Sequence, residues 1–337
     1  MSDTTISTKT FVIGSRKSQL AIIQAEEVKK ALSLAYPTYS FKIITRSTTG
    51  DQILSKPLFQ IGEKALFTKE LEDELVKKSV DLVVHSLKDL PTKLPEGMII
   101  GAITKRENPK DAVIIKTGLA YKTINELPKG SIVGTSSVRR SAQLKAVFPD
   151  LIFQSVRGNL NTRLSKLDDE NGPYTAIILA AAGLLRLGFS HRISQILPSS
   201  IILHAVGQGA LGVECRADDK DVIELLSVID DNDTKLKCIA ERALMRSLEG
   251  GCSVPIGVET ELIEDVNDGN GKRRELRIHG LIARVDGSEI IRAEIKKVVE
   301  DIVAAEELGK ELAKILVEKE PNVFECNFDY FRFGNEI

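Results

Sequence analysis

Residues 11–32 read FVIGSRKSQLAIIQAEEVKKAL, and this stretch decides the fold. Phe11-Val12-Ile13 is a short apolar run of strand type, and Gly14-Ser15-Arg16-Lys17-Ser18 is a polar tip. Ala21, Ala25, Val28 and Leu32 then recur at helical spacings of three and four. Ser18 is placed to cap that helix, and Lys29 and Lys30 suit its negative end. The same unit of strand, polar tip and helix returns along the first two thirds of the chain. Strands are expected at 41–45, 81–85, 131–134, 151–156 and 176–179, and a glycine-rich crossing segment with another strand at 205–213. The helix after the second strand is read on Phe67, Leu71 and Leu75. Strands alternating with helices imply βαβ units around mostly parallel sheets, an α/β chain.

From about Asp230 the style changes. A helix on Ile239, Ala243, Leu244 and Leu248 stops at Gly250-Gly251, and Cys252 follows on that glycine-rich joint. Residues 276–285, the turn Asp286-Gly287 and residues 290–295 read as an antiparallel hairpin, followed by a helix on Ala304, Leu308, Leu312 and Leu316. The stretch 265–274 is polar and glycine-bearing and is expected to be an exposed loop. A chain of 337 residues exceeds one ordinary core, so two or three domains are expected. The formal net charge of -2 lacks the basic excess of a general nucleic-acid binder. The N-terminus carries no secretory pattern, no apolar run is long enough to span a bilayer, and Cys215, Cys238, Cys252 and Cys326 show no metal-ligand spacing. A cytoplasmic protein with reduced thiols fits these features.

The cations fall where function is expected. Arg16, Lys88, Arg139, Arg140, Arg157 and Arg186 all follow an expected strand, and Arg163 lies about a helical turn further on. Strand carboxyl ends and helix amino ends line the ligand crevice of open α/β sheets. Guanidinium forks match carboxylates and phosphates, so these tips point to a polyanion-binding cleft. Asp89 is the acidic exception, a carboxylate directly after Lys88, suited to stabilising positive charge on a substrate or, more plainly, to capping a helix. His85, His191, His204 and His279 form no constellation, and there is no Walker loop, no GxGxxG after a strand and no GxSxG.

Six motifs, in order along nearly the whole chain, carry a family resemblance. They are Gly14-Ser-Arg-Lys-Ser-Gln-Leu20, His85-Ser-Leu-Lys-Asp-Leu-Pro91, Gly134-Thr-Ser-Ser-Val-Arg-Arg140, Arg157-Gly-Asn-Leu-Asn-Thr-Arg163, Ala205-Val-Gly-Gln-Gly-Ala210 and Glu249-Gly-Gly-Cys-Ser-Val-Pro255. Together they resemble the porphobilinogen deaminase (hydroxymethylbilane synthase) family. The resemblance implies two domains like periplasmic-binding-protein halves, with mostly parallel sheets, and a smaller C-terminal α+β domain with an antiparallel sheet. Domain 1 would hold residues 1–105 and 204–227, domain 2 residues 106–203 and domain 3 residues 228–337.

The resemblance also implies a transferase of tetrapyrrole (haem) biosynthesis. It would condense four porphobilinogen molecules, with loss of ammonia, into the linear tetrapyrrole hydroxymethylbilane. The primer would be one dipyrromethane cofactor held through a thioether to Cys252. Lys88, Ser137, Arg139, Arg140 and Arg163 match positions that bind the cofactor's acid groups, and Arg16, Ser18, Arg157 and Arg186 match positions nearer the substrate. Asp89 matches the catalytic aspartate beside the pyrrole nitrogens, and 47–64 matches a mobile segment over the cleft. The family further implies a monomer; the charge, hydropathy and cysteine spacing above lead to no nucleic-acid, membrane or metal partner being expected. Two other readings use the same arginines: a non-enzymatic carboxylate-binding protein of periplasmic-binding-like fold, which needs neither Cys252 nor Asp89, and an enzyme of phosphorylated substrates, which would want a phosphate-cradling glycine loop.

Overall fold

The computed structural model describes residues 9–52, 67–248, 255–267 and 272–319. β1 (Thr10–Arg16) leads into α1 (Gln19–Ala35), and β2 (Ser40–Arg46) returns parallel to β1. Ser18 Oγ accepts the Ala21 amide at 3.3 Å, and Ala21, Ala25, Val28 and Leu32 are buried as their spacing requires. After a helical turn at Thr49–Gln52 come α2 (Lys69–Val76), β3 (Leu82–Ser86) and the 3-10 turn Leu87–Asp89. Phe67 lies ahead of α2 rather than on it, because the helix begins after Thr68. β4 (Met98–Ile103) and β5 (Asp111–Ile115) come after that turn.

Next come β6 (Ile132–Gly134), α3 (Val138–Val147), β7 (Ile152–Gln154), α4 (Leu160–Asp168), β8 (Ala176–Ala180), α5 (Ala181–Arg186) and β9 (Gln195–Ile196). β10 (Leu211–Arg216), α6 (Lys220–Ser227) and α7 (Asn232–Ser247) precede the last group. That group is β11 (Ile256–Asn267), β12 (Lys272–Ala283), β13 (Ile290–Val298) and α8 (Ile302–Lys319).

Two five-stranded sheets share one strand order, β2-β1-β3-β10-β4 in the first and β7-β6-β8-β5-β9 in the second. In each, four strands run one way and one, β10 or β5, is antiparallel to both neighbours. The antiparallel strands exchange partners along the chain: β5 follows β4 yet enters the second sheet, and β10 follows β9 yet enters the first. The two crossings therefore run side by side, with the Thr104 amide on Leu211 O at 3.0 Å and the Glu107 amide on Gly209 O at 3.2 Å. Helices cover both faces, α1 and α6 opposite α2 on the first sheet and α3 opposite α4 and α5 on the second. At the sheet centres Leu82, Val113, Ile114 and Ile177 are fully buried, each worth about 1.5–3 kcal/mol of transfer free energy.

The third sheet, β11-β12-β13, is antiparallel and packs on α7 and α8. Its expected hairpin is present, and the turn closes with Gly287 at φ 79° donating to Arg284 O at 2.9 Å. The buried face of α8 is Ala305, Leu308, Leu312 and Leu316, so Ala305 replaces Ala304, which is only partly covered. This unit touches both others. Leu87, Leu90, Ile103, Ala210 and Cys238 form one small shared core, and Ala142, Leu203, Leu281 and Ala283 form another.

Candidate active site

The tip after β3 is clamped from outside its own sheet. Arg242 on α7 donates to Leu90 O at 3.1 Å and Pro91 O at 2.6 Å, fixing the turn that presents Lys88 and Asp89. Beneath it, His85 Nε2 meets Glu214 Oε2 at 2.9 Å, both buried, so His85 is a structural group as a lone strand-end histidine suggests. Lys88 Nζ reaches Gln208 Oε1 at 3.4 Å. Gln208 sits between two glycines that the geometry demands. Gly207 and Gly209 have φ of 69° and 92°, and a Cβ on Gly209 would lie 2.3 Å from Glu107 O.

The second sheet supplies guanidinium groups. Arg139 and Arg140 open α3 behind the cap Ser137, whose Oγ accepts the Arg140 amide at 3.5 Å. Both arginines are buried and converge on Asp111 at the start of β5. Arg139 Nη1 donates to Asp111 Oδ2 at 2.7 Å, and Arg140 donates to Oδ1 through Nε at 3.0 Å and Nη2 at 2.7 Å. Burial alone would raise the Asp111 carboxyl, but the two guanidinium groups outweigh it and hold it well below the usual carboxylate range. Leu203 O and Ile178 O take one further proton each from Arg139 and Arg140. Among the described residues no protein acceptor lies on the Nε/Nη2 edge of Arg139, the edge that binds a carboxylate in bidentate fashion.

Arg163 donates from Nε to Gly158 O at 2.8 Å, and Arg157 Nη1 is a buried nitrogen with no hydrogen-bond partner among the described residues. Burial and then Arg140 and Arg157 push Arg163 down to about 10, while Asp89 opposes them. Burial also brings Lys88 down to about 8, where Asp89 and Asp111 pull against Arg140 and Arg139. Lys88 and Asp89 on the first sheet thus share one electrostatic site with Arg139, Arg140, Arg157 and Arg163 on the second. Five cations against Asp89 and Asp111 leave three net positive charges.

Arg16, Ser18 and Arg186 make other contacts. The Arg16 guanidinium lies 4.4 Å from the Phe67 ring centroid, and Ser18 caps α1. Arg186 pairs with Glu27 at 3.0 Å and donates to Gly209 O at 3.1 Å, tying the second unit to α1 and to the crossing. Asn161 and Gln19 add a second bridge between the units at 2.6 Å.

Asp111 is a site residue that no motif or spacing had marked, and Gln208, inside the motif 205–210, had been given no role. The signal for Asp111 was an acidic residue opening the wholly apolar run Ala112–Ile115 after Pro109, the mark of a buried strand with an internal counter-ion. Glu241, buried in the middle of α7, had no such signal and was missed as well. It accepts both forks of Arg106 at 2.6 and 2.9 Å, the Gly207 amide at 2.8 Å and Thr260 Oγ1 at 2.5 Å, and is held at about 2. Cys252 and most of the expected mobile segment, residues 53–64, lie outside the described residues, as do 268–271 of the polar insertion. The rest of that insertion is strand rather than the expected loop, since β11 runs to Asn267, β12 starts at Lys272, and Val266 pairs with Arg273. Of the described cysteines, burial pushes Cys215 up to about 11 and Cys238 up to about 12, so neither is a thiolate at neutral pH. Among the described residues no helix is long and apolar enough to cross a membrane.

Residues 11–224 match the family description "Porphobilinogen deaminase, dipyromethane cofactor binding domain", and residues 235–318 match "Porphobilinogen deaminase, C-terminal domain". The chain belongs to the porphobilinogen deaminase family. The porphobilinogen deaminase of Nostoc sp. (strain PCC 7120 / SAG 25.82 / UTEX 2576) is 51% identical over 311 residues, 92% of each chain. That of Saccharomyces cerevisiae (strain ATCC 204508 / S288c) is 49% identical over 315 residues, 92% of this chain and 93% of the other. Among solved structures, the second substrate binding domain of a putative amino acid ABC transporter from Streptococcus pneumoniae aligns with a TM-score of 0.40 at 9% identity, over 65% of this chain and 90% of that one. That last likeness is too remote to bear on function. Porphobilinogen deaminase domains thus account for the α/β body and for the third sheet, and the larger of them is the family's dipyrromethane-binding part.

Proposed function

We propose that this chain is a cytoplasmic, monomeric hydroxymethylbilane synthase. It would join four porphobilinogen units head to tail, releasing ammonia, on a dipyrromethane attached to Cys252. The observation that carries the proposal is the shared site itself: three net positive charges from two sheets, with the Arg139 fork edge and the Arg157 Nη1 unpaired by protein among the described residues. Dipyrromethane and growing tetrapyrroles are polycarboxylates, and these donors fit them. When bound, the dipyrromethane would supply the free pyrrole α-carbon that takes the first unit, and each later unit would be joined to the one before it.

The chain's own residues divide the work. Lys88, Ser137, Arg139, Arg140 and Arg163 would hold the cofactor's acid groups, and Arg16, Ser18, Arg157 and Arg186 the incoming unit or elongating chain. Asp89, set in the cationic site by the Arg242 clamp, would stabilise the positive charge that appears on the pyrrole nitrogen as ammonia leaves. Arg139 and Arg140 are buried out of bulk water, which strengthens their charge interactions. The two sheet units and the third sheet would be separate domains, 1–105 with 204–227, 106–203 and 228–337.

Intact mass tests the attachment. Chain made in haem-synthesising cells should exceed its sequence mass by two porphobilinogen-derived units, Cys252→Ser should lose the excess, and an aldehyde pyrrole reagent should colour only the former after denaturation. A bare mass for the unaltered chain would overturn the proposal and favour a carboxylate-binding protein.

A further inference from the structure

We infer that Asp111, through Gln208, is the positioning residue that turns two arginines and a lysine from different sheets into one preformed carboxylate receptor; this rests on the chain's being a hydroxymethylbilane synthase that carries dipyrromethane. Asp111 is 1% exposed and accepts from Arg139, from two nitrogens of Arg140, and from Gln208 Nε2 at 3.0 Å. Gln208 is equally buried, donates also to Pro109 O at 2.6 Å, and turns its amide oxygen to Lys88 Nζ. One carboxylate and one amide therefore span from the second sheet to the tip of the first.

The connection has two physical consequences. Arg139 and Arg140 are adjacent like charges, and without Asp111 their guanidinium groups would be buried together with no counter-ion. Asp111 also takes Arg139 Nη1, and so leaves the Nε/Nη2 edge as the one that meets a ligand. A charge at this point keeps the receptor assembled before any acid group binds. A bound polycarboxylate then supplies part of the same compensation, so the demand on Asp111 is greatest in the cofactor-free chain.

The test uses full-length chain produced in cells that cannot make porphobilinogen, then incubated with porphobilinogen while covalent mass gain is followed. Asp111→Asn should load at least tenfold more slowly than the native chain. Its melting temperature should fall more in the cofactor-free form than in the loaded form. Asp111→Glu keeps the charge but moves it by one methylene. It should also load slowly while melting near the native temperature, which a purely structural or purely charge-neutralising role would not produce. Loading of Asp111→Asn at the native rate overturns the inference, and so does a melting loss of equal size in both forms. Should Asp111→Asn not fold, Asp111→Glu decides: native loading overturns the inference, and slow loading with native melting supports it. If the unaltered chain gains no mass, the attachment to Cys252 has failed rather than the role of Asp111.

Discussion

The two five-stranded units have the same strand order but hold their site charges differently. In the second unit the arginines of α3 are buried and locked by Asp111, and Arg140 spends three donors on fixed protein acceptors. In the first unit the tip after β3 is only partly buried, and Lys88 is held by a single long contact to Gln208 and brought down to about 8. One scaffold therefore carries locked arginines on one side and a loosely held lysine beside Asp89 on the other. Under the proposed function the locked arginines and Lys88 hold acid groups, and Asp89 answers the positive charge that appears on the substrate.

The most damaging way to break this contrast is to unlock the second unit. Arg140→Leu leaves the buried Asp111 with half its counter-charge, and loss of one partner of such a pair costs about 3–5 kcal/mol. Denaturant unfolding should show that loss, and intact mass should show little covalent cofactor. In the first unit the damage should fall on turnover instead. Asp89→Asn should fold and retain cofactor supplied as preformed tetrapyrrole, while its steady-state rate falls by about 10²–10³, as when a transition-state-stabilising group is removed. A native rate would reduce Asp89 to a cap or an ion-pair partner.

A smaller effect separates the units by pH. Lys88 titrates lower in the folded chain than its ordinary 10.5, so between about 8 and 10.5 the unfolded chain binds more protons. The stability of cofactor-free chain should therefore rise with pH across that window. Porphobilinogen loading should fall over the same window, as the lysine loses the charge that a carboxylate needs. Lys88→Met should remove the rise in stability, and Lys88→Arg should move the fall in loading to higher pH; both can be read from melting and mass-gain series at fixed ionic strength. The smallest effect belongs to the bridge between units. Glu27 is 44% exposed, so Glu27→Gln should cost less than about 1 kcal/mol despite breaking the Arg186 pair. A larger loss would show that the two halves are held together more tightly than an exposed pair allows.

How much was legible in the chain depends on whether a signal was local. Apolar spacing gave α1, the β12–β13 hairpin and the third unit's helices, because periodicity follows from backbone geometry, although β12 begins at Lys272, ahead of the expected 276. Cations at strand ends gave the cluster of Lys88, Arg139, Arg140, Arg157 and Arg163, since a strand followed by a helix must turn its polar tip to one edge of the sheet. β4 and β5 were not read, and with β5 went Asp111. A five-residue apolar run has no period of its own, and its place in the second sheet is set by a crossing between units.

By itself, then, the sequence determined an α/β body, a distinct C-terminal unit and a set of cations with one aspartate at strand tips. Only the tertiary structure decided that Arg139 and Arg140 already have a counter-ion, that Gln208 joins them to Lys88, and that Arg242 from the third unit holds the Asp89 turn. These contacts join residues 28 to 152 positions apart. Their existence depends on which surfaces pack together to bury apolar area and pair buried charge, a condition set by the whole chain and written in no single stretch of it.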